Sequence, residues 1–242
     1  MDKESVKLDL LIQALDQPDK KAVREAVEAL IPMAKGVRDV AARLCAALDA
    51  APAEKRWPIA YVLAHVSPLS TPCVDALKGA LGLSDPDIRW AVALLLVRLA
   101  KKPEPAVAAH LIELLHSGSP TQRRMAVYCL RDIGAEESLR VALQHALADS
   151  DPLVRVAAVT SLKAFPGIGG DVADQLLRLV AEDLDSRVRA SAALALAHVG
   201  APSKKILATL NDAIQSPDTK LAKAARAALA LLEQKGPVSP RK

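Results

Sequence analysis

An arginine returns along this chain at nearly constant intervals: Arg24, Arg56, Arg89, Arg123, Arg155 and Arg189, with Ala222 closing the series. The successive spacings are 32, 33, 34, 32, 34 and 33 residues. A period of this length marks stacked supersecondary units, each too small to bury its own apolar face, so the chain is constrained to an array. The neighbourhoods of the arginines agree. Pro86-Asp-Ile-Arg-Trp-Ala-Val-Ala-Leu-Leu-Leu aligns with Pro152-Leu-Val-Arg-Val-Ala-Ala-Val-Thr-Ser-Leu and with Ser186-Arg-Val-Arg-Ala-Ser-Ala-Ala-Leu-Ala-Leu. The units run over 5–34, 37–66, 71–101, 104–133, 136–165, 170–199 and 203–234.

Each unit reads as two helices. The second opens at Asp85-Pro86, Ser119-Pro120, Asp151-Pro152 or Ser216-Pro217, an N-cap residue followed by proline at the first helical position. It buries the columns of Val154, Ala157, Ala158, Ser161 and Leu162, a stripe with the helical period. Gly134 and Gly200 share a closing column, with Gly36 and Gly167 beside it. The first helix is a shorter Leu- and Ala-rich segment, as at 139–147. Pro58 falls inside the second helix of its unit and predicts a kink there. Hydrophobic residues make up 51% of the chain and only 2% are aromatic, a composition suited to closely packed helices and poor for pleated sheet. The expected fold is all-α, a right-handed α-solenoid of about seven helical hairpins. Polar outer faces at both ends, with Lys3, Glu4 and Lys7 in the first helix and Lys220, Lys223 and Arg226 in the last, suit the caps of one continuous array over 1–234.

Asp-x-x-x-Arg at the start of the second helix, as in Asp85 and Arg89, Asp151 and Arg155, and Asp185 and Arg189, resembles the HEAT repeat. The short, alanine-rich units look most like bacterial HEAT repeats of the phycobilin-lyase-like type. The likeness covers nearly the whole chain and speaks to fold, while function has to be argued from a site. It implies that the arginine column pairs with the aspartate of its own or an adjacent turn, forming a structural inter-repeat ladder of Arg24, Arg56, Asp85, Arg89, Arg123, Asp151, Arg155, Asp185 and Arg189.

Net charge is +4, and its location matters. Residues 1–121 hold 15 basic and 15 acidic side chains, whereas 122–242 hold 17 and 13. Lys235, Arg241 and Lys242 carry three of those charges, in a stretch with Pro237 and Pro240 that is expected to form a disordered basic tail over 235–242. A nearly neutral body argues against nucleic acid as partner. The polar start Met1-Asp2-Lys3-Glu4-Ser5 lacks a secretory pattern, no apolar run approaches a membrane span, and Cys45, Cys73 and Cys129 lack metal-knuckle spacing. A cytoplasmic protein with no membrane association is expected.

The candidate chemistry is sparse. His65, His110, His116, His145 and His198 include no pair at i, i+3 or i, i+4 and no His-Glu dipeptide. HEAT-like deoxyhypusine hydroxylases bind iron through such dipeptides, so that activity is argued against, and no metal or other cofactor is expected. No nucleophile sits in an elbow or Gly-rich turn.

The aromatics are unevenly placed. Projection at 100° per residue sets the columns of Val156, Val159, Thr160 and Lys163 opposite the buried stripe. The Val156 column includes Trp57, Trp90 and Arg124, and the Thr160 column includes Tyr61 and Tyr128. In HEAT-like stacks that face lines the concave groove, and Trp, Tyr and Arg are the residues that dominate interface energetics. The expected function is a non-enzymatic, monomeric scaffold or adaptor that binds a segment of another protein against Trp57, Tyr61, Trp90, Arg124 and Tyr128. The alternatives are a bilin-lyase-like chaperone or lyase subunit holding a linear tetrapyrrole and, less favoured, a HEAT-like DNA-binding protein or glycosylase. The last lacks a groove carboxylate in units two to six.

Overall fold

The computed structural model describes residues 3–35, 37–101, 106–134, 136–165, 170–198 and 203–234. Among them there is no strand. The helices are α1 (Lys3–Ala14), α2 (Lys20–Ala34), α3 (Arg38–Ala50), α4 (Trp57–Val66), α5 (Thr71–Ala80), α6 (Pro86–Ala100) and α7 (Ala106–Ser117). They continue as α8 (Pro120–Ile133), α9 (Glu137–His145), α10 (Pro152–Leu162), α11 (Gly170–Glu182), α12 (Ser186–Leu196), α13 (Lys204–Ile214) and α14 (Thr219–Gln234). Single 3₁₀ turns stand at Ala53–Lys55 and Ala146–Ala148. The even-numbered helices carry the arginine column, with Arg56 at the N-cap of α4, so the hairpins fall where the period places them. No described helix is long and apolar enough to cross a membrane. Gly36, Gly167, Gly200 and the tail 235–242 lie outside the described residues.

The chain forms two compact units, Met1–His110 and Leu111–Lys242. In the first, α2 packs on α4, and α1, α3 and α5 pack against these two. Leu30, Leu44, Leu63 and Leu77 are fully buried among them. In the second unit α8, α10, α12 and α14 pack in succession, with α9, α11 and α13 against them. In one column Leu63 and Leu96 of the first unit and Leu130, Leu162 and Leu196 of the second are at most 3% exposed, while the end copies Ile31 and Leu229 are half-buried.

Local chemistry fixes where the helices begin. Pro86, Pro120 and Pro152 occupy first-turn positions, where a missing N–H costs nothing. Ser119 and Gln122 close a reciprocal capping box on α8. Two expectations shift. Pro58 kinks nothing, because α4 starts at Trp57 and the proline sits in its first turn. Ser216-Pro217 does not open α14; Asp218 caps it, its Oδ1 accepting the N–H groups of Lys220 and Leu221 at 3.0 and 3.2 Å. Gly134 closes α8 at φ 157°, ψ −170°, a backbone setting that glycine tolerates and side chains resist.

Candidate interaction surface

The arginine column is built into the scaffold, with partners other than those expected. The aspartates four residues upstream are occupied in capping. Asp85 accepts from the N–H of Asp87 and Ile88, Asp151 from Leu153 and Val154, and Asp185 from Arg187. Each arginine instead turns Nη1 back to carbonyls of the preceding loop. Arg89 donates to Ser84 O at 2.8 Å, Arg123 to Gly118 O at 2.8 Å, Arg155 to Asp149 O at 2.7 Å and Arg189 to Asp183 O at 2.7 Å. Arg56 does the same through Nε to Ala51 O at 2.8 Å. Gly118 is glycine for a steric reason, since a Cβ there would lie 2.7 Å from Leu114 O.

The outer edge of the guanidinium then reaches the following repeat. Arg123 takes Asp149 through Nε and Nη2 at 2.8 and 2.7 Å, Arg155 takes Asp183 at 2.7 and 2.8 Å, and Arg189 takes Asp218 through Nη2 at 2.6 Å. Asp149 and Asp183 stand two residues before the N-caps Asp151 and Asp185, whose N–H groups they also accept. The ladder therefore links consecutive repeats and, among the described residues, is confined to the second unit. Arg24 is exposed and makes no bond of this kind among the described residues. Arg89 Nε is buried without a hydrogen-bond partner.

On the face opposite the buried stripe, α4 and α6 each present a row at i, i+4 and i+8: Trp57, Tyr61, His65 and Trp90, Leu94, Arg98. Trp57 and Tyr61 are half-buried, whereas Trp90 is 43% and Leu94 65% exposed. The Tyr61 and His65 rings lie 4.8 Å apart at 44°. His65 Nδ1 donates to Tyr61 O at 2.8 Å, which leaves Nε2 to accept from Arg98 Nη2. That bond joins the two rows at their carboxyl ends. In the second unit the same columns continue on α8 as Arg124 and Tyr128, both half-buried, with the Arg131 guanidinium 5.5 Å from the Tyr128 ring centroid. The Val159 column is not on this face: Val159 is fully buried. Among the described residues no group of three or more His, Cys, Asp or Glu side chains could hold a metal ion.

The column projection places Trp57, Tyr61, Trp90 and Leu94 in these rows, and His65 and Arg98 follow by continuing each row one turn further.

Paired helices at a period of about 33 residues, tied by an inter-repeat arginine ladder, define a helical-repeat protein of the α-solenoid class. The family profile described as HEAT repeats matches residues 41–131 and 108–197, and the chain belongs to that family. No curated protein matches it in sequence. Among solved structures it is similar to YibA of Escherichia coli, at 18% identity over 97% of this chain and 98% of that one, with a TM-score of 0.55. It is more distantly similar to human deoxyhypusine hydroxylase in complex with glycerol, at 18% identity, 94% and 96% coverage and a TM-score of 0.44. A designed armadillo repeat protein in complex with the peptide (KR)4 stands at 18% identity, 93% and 99% coverage and 0.45. These likenesses concern the fold.

Proposed function

We propose that this HEAT-repeat chain is a non-enzymatic interaction module that holds a segment of another protein against the α4–α6 face. The observation that carries the reading is the exposure of Trp90 and Leu94, one turn apart on α6, in a row that the His65–Arg98 bond ties to the Trp57–Tyr61 row of α4. The part of an indole or isobutyl group left in water adds nothing to the stability of a scaffold helix, and contiguous exposed apolar surface marks binding sites. Tryptophan and tyrosine supply large contact area at little conformational cost, which is why they anchor interfaces. The rows stand on helices whose opposite sides are core, so the face is preorganised.

Affinity capture on the immobilised protein tests this, with a Trp90→Ala, Leu94→Ser variant as the control. Proteins retained by the wild type and lost from the equally stable variant support the reading. Equal retention by both moves the functional surface elsewhere.

A further inference from the structure

The two rows change chemistry along their length. Indoles stand at the amino ends, Tyr61 and Leu94 in the middle, and His65 and Arg98 at the carboxyl ends. Charge follows the same direction. α4 carries no acidic residue, and the acids of α6 stand at its start, where Asp85 and Asp87 pair with Lys20. Arg98 and Lys101 are exposed at the other end. The His65 imidazole occupies one Arg98 N–H and holds the guanidinium at the end of the rows, with its remaining donors unpartnered among the described residues. Beside it lies an open depression of about 260 Å³ lined by His65, Ser67, Pro68, Leu69 and Leu99.

We infer that this face takes an acidic peptide segment, with an apolar side chain over Trp90 and Leu94 and an Asp or Glu carboxylate on Arg98; the inference rests on the function proposed above and names the partner's chemistry. Trp90 and Arg98 are eight residues apart on one helix, roughly 12 Å at 1.5 Å per residue. An extended chain covers that in about four residues. The segment therefore carries its acid about four positions from its apolar anchor. A guanidinium fork suits a carboxylate, and the pair is steered by unlike charge. Single-stranded nucleic acid is the poorer fit, because it needs a basic track along the backbone. Of the six row residues only Arg98 is a fixed cation, and Asp87 is an exposed acid in the first turn of α6.

A phage library of random peptides, panned on the wild type, Arg98→Glu and Trp90→Ala, tests this. Both tryptophans of the protein lie on this face, so their emission reports binding of a selected peptide directly. Peptides from the wild type are expected to pair an apolar residue with an acid about four positions away, and to bind Arg98→Ala about tenfold more weakly. Arg98→Glu is expected to select Lys or Arg at that position. The same peptides from wild type and Arg98→Glu would overturn the charge assignment while leaving the interaction module standing. Peptides insensitive to Trp90→Ala, or none enriched on the wild type, would overturn both. Displacement of the selected peptide by an oligothymidylate that binds more tightly would replace the acidic segment with nucleic acid.

Discussion

Arg155 grips Asp183, 28 residues further on, through two parallel hydrogen bonds of 2.7 and 2.8 Å, and the Asp183 side chain is only 4% exposed. The Arg155 side chain is 15% exposed, and its Nη1 is spent on Asp149 O. Neither charge has water to fall back on. Removing one partner strands the other, which costs about 3 kcal/mol or more. Asp183→Ala is expected to lose that much by urea denaturation. Arg155→Ala with Asp183→Ala should lose clearly less than the sum of the singles, a coupling of about 1 to 3 kcal/mol. The exposed pair Lys205–Asp174, at 2.8 Å, should couple by no more than about 0.5 kcal/mol. Equal coupling at the two sites would remove the ladder from the account of stability.

Acid should weaken the same ladder. Burial pushes the Asp149 carboxyl up, but the Arg123 hydrogen bond, the Asp151 N–H and the nearby guanidinium charges outweigh it and hold the group below the usual carboxylate range. Asp218 is lowered chiefly by its hydrogen bond from Arg189, against some desolvation. A depressed folded value means the native state keeps its charge to lower pH than the unfolded chain. The contribution is therefore complete above the unfolded value of about 3.9 and is lost as pH falls through the folded one. Unfolding free energy should change little between about pH 7 and pH 5 and then drop. The Asp149→Asn, Asp218→Asn variant should start lower and drop less steeply; an unchanged acid slope would assign the loss to other carboxylates.

The thiols divide by burial. Cys73 and Cys129 are buried and Cys45 is exposed. Burial pushes the Cys129 thiol up to about 12 and raises that of Cys73 as well. The thiolate is the reactive form, so both should resist alkylation in the native protein. Native protein treated with iodoacetamide near neutral pH should be modified at Cys45 alone, and denatured protein at all three. Mass spectrometry after partial labelling checks this, and rapid native labelling of Cys129 would mean that α8 opens locally.

The sequence shows the period, the helix class and most caps because those are local: an Asp-Pro start and a 3.6-residue stripe need no knowledge of neighbours. The ladder partners are not local. The i, i+4 spacing of Asp151 and Arg155 invites a pairing within the turn, but Asp151 is already accepting two backbone N–H groups. The acid that Arg155 needs comes from the next loop. Projection sets Val159 on the open face because it treats each helix alone, whereas a helix flanked by neighbours, as α10 is by α8 and α12, buries more than half its circumference. The His65–Arg98 bond joins two helices and has no signature in either.

Facing of the helices can be checked at one column. Leu162 is 1% and Leu196 0% exposed, each within the core of the second unit. Leu162→Ala and Leu196→Ala should each destabilise by about 2 to 5 kcal/mol, the transfer cost plus that of the cavity left behind. Lys163→Ala, at the C-cap of α10 and partly exposed, should change stability by no more than about 0.5 kcal/mol. Comparable losses at Leu162 and Lys163 would mean the helix is facing the wrong way.

Ser161 offers a test in the stabilising direction. It is the one fully buried polar residue among the described positions, at 0% exposure, and its hydroxyl has no hydrogen-bond partner. In the next repeat the same column holds Ala195, also buried at 1%, so the site accepts a methyl group without repacking. A buried hydroxyl left unpaired costs about 1 to 3 kcal/mol in desolvation, whereas truncation to Ala deletes one atom and leaves too small a void to offset that. Alanine also has the higher helix propensity, by a few tenths of a kcal/mol. Ser161→Ala should therefore raise the unfolding free energy by about 1 kcal/mol and lift Tm by a few degrees. The column holds Leu30, Val62 and Leu95 in the first unit but only Cys129, Ala195 and Ala228 in the second, so Ser161→Val, two methyl groups larger than alanine, should overpack there and lose about 1 to 3 kcal/mol. Thermal melts of the two variants read out opposite signs. A Ser161→Ala protein that melts below the wild type would show that the hydroxyl is satisfied in solution, by an ordered water or by the carbonyl one turn back.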